Sequence, residues 1–251
     1  MGAYAYRKVR RIEPLQGLVE QTDLAQIGQH LSVVEYPDDD ALRVNFLPRA
    51  GDGQHAHAEP YQRIVDAAEK LKVKTVISPE CGHAYTAIRW EGANLVGRPF
   101  NFKVQHILEV LDELREQGLL KTEGSEDSRM TFHDPCQLVR RGGVIEQPRN
   151  LLQMVASDFV EMKDHGTMNW CCGAGGGVSA NEDAHELKLT SFNRKKKQLD
   201  ELKVDALVTA CANCRIALEE GLEENEMDIP VLGLTEMLAE HLVTEQSGKE
   251  E

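Results

Sequence analysis

Residues 202–214 read LKVDALVTACANC, a short apolar run that leads into two cysteines separated by two residues. The apolar residues 206–209 predict a short buried strand, with a long helix before it and another helix from about Arg215. Helices that alternate with short apolar strands are typical of α/β proteins with mostly parallel sheets. We therefore expect Cys211 and Cys214 to lie in a turn between a strand and a helix.

A similar segment occurs earlier in the chain. Residues 71–78 (LKVKTVIS) align without a gap with residues 202–209, and each segment follows a predicted helix and precedes a cysteine-bearing turn. This internal echo predicts an α/β fold with two pseudo-symmetric halves, each with a small parallel sheet flanked by helices. We place a degenerate first half at residues 1–125, a complete second half at 126–245 and a disordered tail at 246–251.

The echo leaves one alignment open around Cys81. Without a gap, Cys211 falls opposite Glu80 and Cys214 falls opposite His83, with Cys81 between them. A gap of one residue would instead place Cys81 on Cys211, and the sequence does not decide between the two.

Weaker periodicity predicts the other elements of the chain. Strands are expected over residues 42–47, 73–78, 130–133 and 231–234, helices from residue 61 and over 104–114, 151–155, 182–202 and 236–242, and a linker over 122–128. His55 and His57 lie in a polar loop, where an exposed position is favoured over a role as metal ligands.

Composition narrows the class of protein. The 251 residues carry a formal net charge of −14, from 28 basic and 42 acidic side chains. This charge disfavours nucleic acids and anionic membrane surfaces as partners. The sequence shows neither an apolar run of roughly 20 residues nor the apolar core of a signal peptide, so we expect a cytoplasmic protein with no direct membrane span. In a reducing compartment, cysteines serve as ligands or catalytic thiols more often than as disulfides.

Five cysteines lie in three segments of the second half, which are HDPC, WCCGAGGG and CANC. They are Cys136, Cys171, Cys172, Cys211 and Cys214. Turns that follow parallel strands gather at one edge of the sheet, so the five thiols should converge. Soft thiolates hold iron in iron–sulfur clusters, and glycine-rich loops and helix N-termini offer amide donors to an anionic cluster.

Three alternatives to an iron–sulfur cluster stay open at this point. A tetrahedral zinc site needs four ligands, and the chain has no second Cys-x-x-Cys. A thioredoxin-like pair would use Cys211 and Cys214 but leave the other three thiols unexplained. The cysteines could also be small buried residues without a ligand.

The order HDPC, WCCGAGGG and TACANC resembles the cysteine-rich CCG domain of heterodisulfide reductase catalytic subunits and their relatives, over residues 130–242. Residues 61–85 match a second, degenerate copy more weakly. The segment PECGHA, residues 79–84, resembles in particular the catalytic subunit of the membrane complex associated with dissimilatory sulfite reductase.

This resemblance implies a specific cofactor and chemistry. The five cysteines would hold one non-cubane [4Fe-4S] cluster, which cleaves disulfides in one-electron steps. The substrate would be a disulfide or trisulfide on a small sulfur-carrier protein. Electrons would come from electron-transfer subunits of a larger complex, which can be attached to a membrane.

The resemblance also makes Cys81 and His83 candidate catalytic residues. Cys81 would face the cluster from the first half, as a ligand or as a thiol that forms a mixed disulfide, unless it is a structural free cysteine. His83 could donate protons, since histidine titrates near neutral pH, or form a structural hydrogen bond. His133 beside the cluster loop is expected to be structural. Arg140 and Arg141 could attract an anionic substrate or simply be solvated.

Related CCG-domain subunits of glycolate- and lactate-oxidising complexes suggest an alternative function, in which the cluster only transfers electrons. Exposure separates the two functions. A catalytic cluster needs an open cleft with Cys81 at its edge, whereas a relay cluster should be buried with Cys81 packed away.

Overall fold

The computed structural model of the chain describes residues 59–175 and 177–243. The predictions of a strand over 42–47, of a loop around His55 and His57, and of a disordered tail lie outside these residues. Among the described residues, no helix is long and apolar enough to cross a membrane.

The described part of the first half, from residue 59 onward, contains two parallel strands and four α-helices. In chain order these are α1 (Glu59–Leu71), β1 (Thr75–Ser78), α2 (Gly82–Thr86), α3 (Gly92–Val96), β2 (Lys103–His106) and α4 (Ile107–Glu116). A π-helical turn, Ala87–Glu91, connects α2 and α3. The strands β1 and β2 form a two-stranded parallel sheet in which Val76 lies opposite Val104.

The second half contains a four-stranded parallel sheet with the strand order β4-β3-β5-β6. Its elements are β3 (Glu126–His133), α5 (Gln147–Val155), β4 (Ala156–Phe159), α6 (His185–Leu202), β5 (Ala206–Thr209), α7 (Ala212–Glu224), β6 (Val231–Gly233) and α8 (Leu234–Glu240). The predicted α/β class, with small parallel sheets flanked by helices, is confirmed. His133 lies opposite Thr209 at the ends of β3 and β5, so the turns that follow these strands are neighbours.

The two halves repeat the same backbone features. Both α1 and α6 are followed by a lysine in the left-handed conformation, Lys72 at φ 55° and Lys203 at φ 52°. Cys81 is the N-cap of α2 and Cys211 is the N-cap of α7, both with extended backbone. In each case the cysteine carbonyl accepts a 2.9 Å hydrogen bond from the amide four residues later. A left-handed lysine is uncommon, so its recurrence supports the echo.

These caps decide the alignment that the sequence left open. Because Cys81 and Cys211 both occupy the N-cap, they are structural equivalents, and the one-residue gap is correct. Ala84 then takes the place of Cys214. The first half therefore has a cysteine at the position of Cys211 and an alanine at the position of Cys214.

The two halves share one hydrophobic core. Side chains from α1, α4, β3, α5, β5 and α8 pack into it, including Val65, Leu108, Phe132, Leu152, Val208 and Leu238, which are all fully buried. Burial of each such side chain stabilises the fold by about 1.5–3 kcal/mol. The helix α2 also approaches the second half closely, since a Cβ on Gly82 would lie 2.5 Å from the amide nitrogen of Leu138.

Three sequence predictions were wrong in detail. Val104 belongs to the strand β2, and α4 begins only at Ile107, because His106 and Glu109 form a capping box there. The strand β3 begins at Glu126, so residues 126–128 at the end of the predicted linker belong to the strand. The strand β4 was not predicted, because its sequence ASDF lacks an apolar alternation.

Candidate metal centre

The five cysteines of the second half form one continuous set. The Sγ atoms of Cys136 and Cys171 lie 3.8 Å apart. Cys171 is also within hydrogen-bonding reach of Cys172, Cys172 of Cys214, and Cys214 of Cys211. The three segments therefore bring five thiols together at the carboxyl ends of β3 and β5, as the turn positions predicted.

The thiols perturb one another strongly. Hydrogen bonds from Cys136 and Cys172 lower the pKa of Cys171, whereas the hydrogen bond with Cys171 raises the pKa of Cys136. The pKa of Cys214 is raised by its hydrogen bonds with Cys172 and Cys211. Adjacent thiolates repel, so the set cannot ionise fully without added positive charge. Bound metal ions would provide that charge.

The set has a buried side and an open side. Cys172, Cys211 and Cys214 are buried, whereas Cys136 and Cys171 are partly exposed. Cys81 is itself exposed and lies near Cys211, whose charge acts on its thiol. A ligand held by the five thiols would therefore be anchored in the core and reachable from one direction.

A buried ion pair fixes the turn that carries Cys136. The carboxylate of Asp134, fully buried, accepts two hydrogen bonds from Arg149, at 2.5 and 2.7 Å. It also accepts the amide of Gly166 at 2.7 Å. Arg149 in turn lies over the Phe132 ring and binds Glu161 at 2.8 Å. The turn after β3 is thus tied to α5 and to the segment that leads to Cys171.

Asn169 connects the first two cysteine segments. Its side-chain amide donates to the carbonyl of Asp134 at 3.0 Å. Arg140 donates to the carbonyl and the side-chain oxygen of Asn169 and to the carbonyl of Thr167. Arg140 therefore holds the two loops together and does not project as a free anion-binding group. Arg141 is exposed and pairs with Glu91 at 3.1 Å.

The glycine-rich loop approaches α6 closely. Gly173 has φ +87°, and a Cβ at this position would lie 2.8 Å from the Cβ of Ser191. Its amide donates to the Sγ of Cys171 at 3.4 Å, so a backbone donor to sulfur is present as expected. Trp170 holds the loop onto α6, because its indole N–H donates to the Ser191 carbonyl and its ring stacks under Arg194.

The first half contributes the N-terminus of α2 to the site. The amide of Gly82 donates to the sulfur of Cys211, which lowers the pKa of that thiol together with the larger effect of Cys214. Surrounding protein atoms raise the pKa of the Cys81 thiol, and the negative charges of Cys211 and Glu80 act in the same direction. The amides of Ala84 and His83 oppose this shift. Cys81 is therefore a thiol at neutral pH.

His83 lies beside the glycine-rich loop. Its ring would be 3.5 Å from a Cβ on Gly175. Burial and the charge of Arg141 lower the pKa of His83, so the imidazole is neutral near pH 7. The structure thus brings both first-half candidates, Cys81 and His83, to the cysteine set.

Two buried polar groups lie near the cysteines: His133, which the sequence placed beside the cluster loop as a structural residue, and Lys195, which it did not reveal. Both ring nitrogens of His133 lack hydrogen-bond partners among the described residues, and a ring nitrogen lies within 4.8 Å of the Cys172 and Cys214 sulfurs. Burial lowers the pKa of His133, so its ring is neutral. Lys195 on α6 is 1% exposed. Its position three residues after Phe192 and four before Leu199 was the signal that could have revealed it.

The donor set fits an iron–sulfur cluster. Five thiols from three segments exceed the four ligands of a structural zinc ion. The Gly173 amide that donates to the Cys171 sulfur is typical of the surroundings of a cluster. Among the described residues, no polar atom satisfies the buried His133 ring beside these sulfurs.

Comparisons with known proteins agree with this geometry. Residues 130–219 match the family model of the CCG cysteine-rich domain. Over 176 residues the chain is 34% identical to one of the subunits of the dihydromethanophenazine:CoB–CoM heterodisulfide reductase of Methanosarcina acetivorans, and the match covers 70% of this chain and 42% of that protein.

Two further relatives carry other names. The EtfAB:quinone oxidoreductase of Syntrophomonas wolfei is 32% identical over 168 residues, 63% of this chain and 23% of that protein. Iron–sulfur subunit 2 of the Hdr-like menaquinol oxidoreductase of Archaeoglobus fulgidus is 28% identical over 226 residues, 74% of this chain and 40% of that protein. The chain spans less than half the length of these relatives. With the match to the domain model and the heterodisulfide reductase likeness, residues 130–219 of the chain are a CCG cysteine-rich domain.

Proposed function

We propose that the chain is the iron–sulfur subunit of a heterodisulfide reductase-like oxidoreductase that reduces or forms disulfides or trisulfides. A non-cubane [4Fe-4S] cluster would be held by Cys136, Cys171, Cys172, Cys211 and Cys214. The observation that carries the proposal is the continuous set of five thiols with one open side, next to the exposed Cys81. When bound, such a cluster supplies or accepts electrons one at a time.

Cys81 is the proposed contact with the substrate sulfur. Attack of the Cys81 sulfur on a substrate disulfide would form a mixed disulfide and release one substrate thiol. Two electrons from a reduced partner subunit and two protons would then restore the Cys81 thiol and release the second substrate thiol. The reverse sequence forms the disulfide. Direct contact of Cys81 with an iron is the other role that its position next to Cys211 allows.

His83 is the proposed proton carrier of this exchange. Its neutral imidazole can accept the proton of the Cys81 thiol at a ring nitrogen and return it to the released thiolate. The lowered pKa of His83 suits this role, because a neutral ring is available at pH 7.

The partners are proposed by chemistry. A small sulfur-carrier protein would present the disulfide or trisulfide, and electron-transfer subunits of a larger complex, which can be attached to a membrane, would exchange electrons with the cluster. The names of the Methanosarcina and Archaeoglobus relatives, which are subunits of reductase or oxidoreductase assemblies, support a complex. The acidic net charge supports a protein partner and disfavours nucleic acid.

The alternative is an electron-transfer subunit of a glycolate- or lactate-oxidising complex, with no contact between substrate and cluster. The exposure of Cys81 and the partial exposure of Cys136 and Cys171 favour the catalytic function. A relay site has no need for a thiol at an open edge.

The test begins with anaerobic isolation followed by iron and sulfide analysis and EPR. We expect about four irons per chain. Cys172→Ser should lose the iron, and Cys81→Ser should keep it but lose reduction of a small asymmetric disulfide with a reduced viologen as electron donor. One zinc per chain without iron would refute the cluster. Undiminished turnover by Cys81→Ser would remove Cys81 from the mechanism and favour the relay.

A further inference from the structure

Lys195 lies on the face of α6 that packs into the core. The side chain is 1% exposed, between the buried Phe192 and Leu199. Lysine is almost never fully buried unless its charge is paired. The position of its counter-charge therefore requires an explanation.

The described residues contain no adequate partner for the Lys195 ammonium. Its ammonium contacts the Sδ of Met162 at 3.8 Å, a weak acceptor, and none of these residues places a carboxylate oxygen within 4.0 Å. The two acidic groups in its surroundings are already engaged. Asp134 is paired with Arg149 at 2.5 Å, and Asp164 is paired with Arg194 at 2.6 Å.

The remaining negative groups near Lys195 are cysteines of the site. The negative charges of Asp134, Cys172, Cys214 and Asp164 raise the pKa of Lys195, against the larger opposite effect of burial, and the pKa is about 8. The ammonium also lowers the pKa of His133, which lies beside the same two sulfurs. Met162, the neighbour of the ammonium, lies in one buried cluster with Cys172 and Cys214. Since both carboxylates are engaged by arginines, an anion at the cysteine set would supply the counter-charge that burial of the ammonium requires.

We propose that Lys195 is the buried counter-charge of the cluster, and that it sets the reduction potential from the core side of Cys172 and Cys214. The inference rests on the cluster of the proposed function and is independent of its substrate. Lys195 touches neither substrate nor the open side, so it is a positioning residue and not a catalytic one. A fixed positive charge stabilises the reduced, more negative cluster and raises its potential.

The test is a redox titration of the isolated protein monitored by EPR. In Lys195→Met we expect the midpoint potential to fall. The ratio of reduced to oxidised cluster at a fixed potential should decrease at least tenfold, which corresponds to a midpoint lower by about 59 mV for one electron. Lys195→Arg keeps the charge and should stay within about threefold of the wild type by the same relation. EPR signals and iron content report this effect without any turnover assay.

Lys196→Met is the matched control. This neighbour has the same charge, but its ammonium is 2.7 Å from Asp200 on the outer part of the helix. Lys196→Met changes the net charge of the protein by the same amount as Lys195→Met and should leave the midpoint potential unchanged.

Each outcome separates the role of charge from that of packing. A midpoint in Lys195→Met equal to that of the wild type would overturn the proposal, and so would loss of iron in both the Met and the Arg variant, since packing would then be the essential contribution. Loss of iron in Lys195→Met alone, with iron kept in Lys195→Arg, would support it. Wild-type protein without iron would instead refute the proposed function itself.

Discussion

Replacement of Asp134 by alanine should strongly destabilise the fold and the cysteine site together. The change removes both hydrogen bonds to Arg149, at 2.5 and 2.7 Å, and the acceptor of the buried Gly166 amide. Loss of one partner of a buried ion pair costs about 3–5 kcal/mol. Because Glu161 still binds Arg149 at 2.8 Å, the cost of breaking the ion pair should lie at the low end of this range. The orphaned amide adds about 1 kcal/mol or more.

The sum is about 4 kcal/mol, a large part of the roughly 5–15 kcal/mol that stabilises a typical domain. Urea unfolding under anaerobic, reducing conditions measures it. At a slope of about 2.5 kcal/mol per molar, the midpoint should fall by about 1.6 M. The bound iron should decrease as well, because Cys136 follows Asp134 by two residues and shares its turn.

Asp158→Ala is the matched control for this prediction. Asp158 pairs with Arg129 at 3.1 Å, but both side chains are more than 40% exposed, at 47% and 41%. Exposed pairs contribute about 0–1 kcal/mol. If the two variants unfolded at the same urea concentration, the buried ion pair at Asp134 would contribute no more to stability than an exposed one, and the reasoning would be refuted.

Two further predictions concern the first half. Burial lowers the pKa of His106 to about 4, so between that value and the ordinary 6.5 the unfolded chain binds a proton that the folded chain does not. Stability should therefore fall as the pH falls through this window, by about 2 kcal/mol between pH 7 and pH 5. His106→Asn should remove this part of the pH dependence. If the variant lost as much stability as the wild type between pH 7 and pH 5, measured by urea unfolding, the assignment to His106 would be contradicted. Gly82→Ala would place a Cβ 2.5 Å from the backbone of Leu138, so we expect a loss of about 1–3 kcal/mol and a weaker donor to Cys211, measured by unfolding and by iron content. Gly92→Ala meets the Phe100 side chain at 3.0 Å and backbone only at the ordinary contact distance of 3.5 Å, from the Ala87 carbonyl, so it should cost less. Equal losses would contradict the close contact at Gly82.

The local pattern around each cysteine segment determined much of the fold. Short apolar runs such as residues 206–209 bury both faces, which parallel strands flanked by helices allow. The class of the fold, most of the helices and the convergence of the five thiols followed from this pattern. The sequence pattern misplaced those strand and helix boundaries that capping sets. At His106, the capping box with Glu109 ends β2 and begins α4.

The sequence by itself determined that five thiols, in two strand-to-helix turns and a glycine-rich loop, would meet at one edge of a parallel sheet, since that depends on spacing and periodicity. Only the tertiary structure decided that Cys81 is the equivalent of Cys211, because the N-cap positions differ by one residue in their distance from the strand. The roles of Asp134 and Lys195 also depended on it. A buried charge is defined by what surrounds it, and its surroundings come from segments about 15 to 60 residues away.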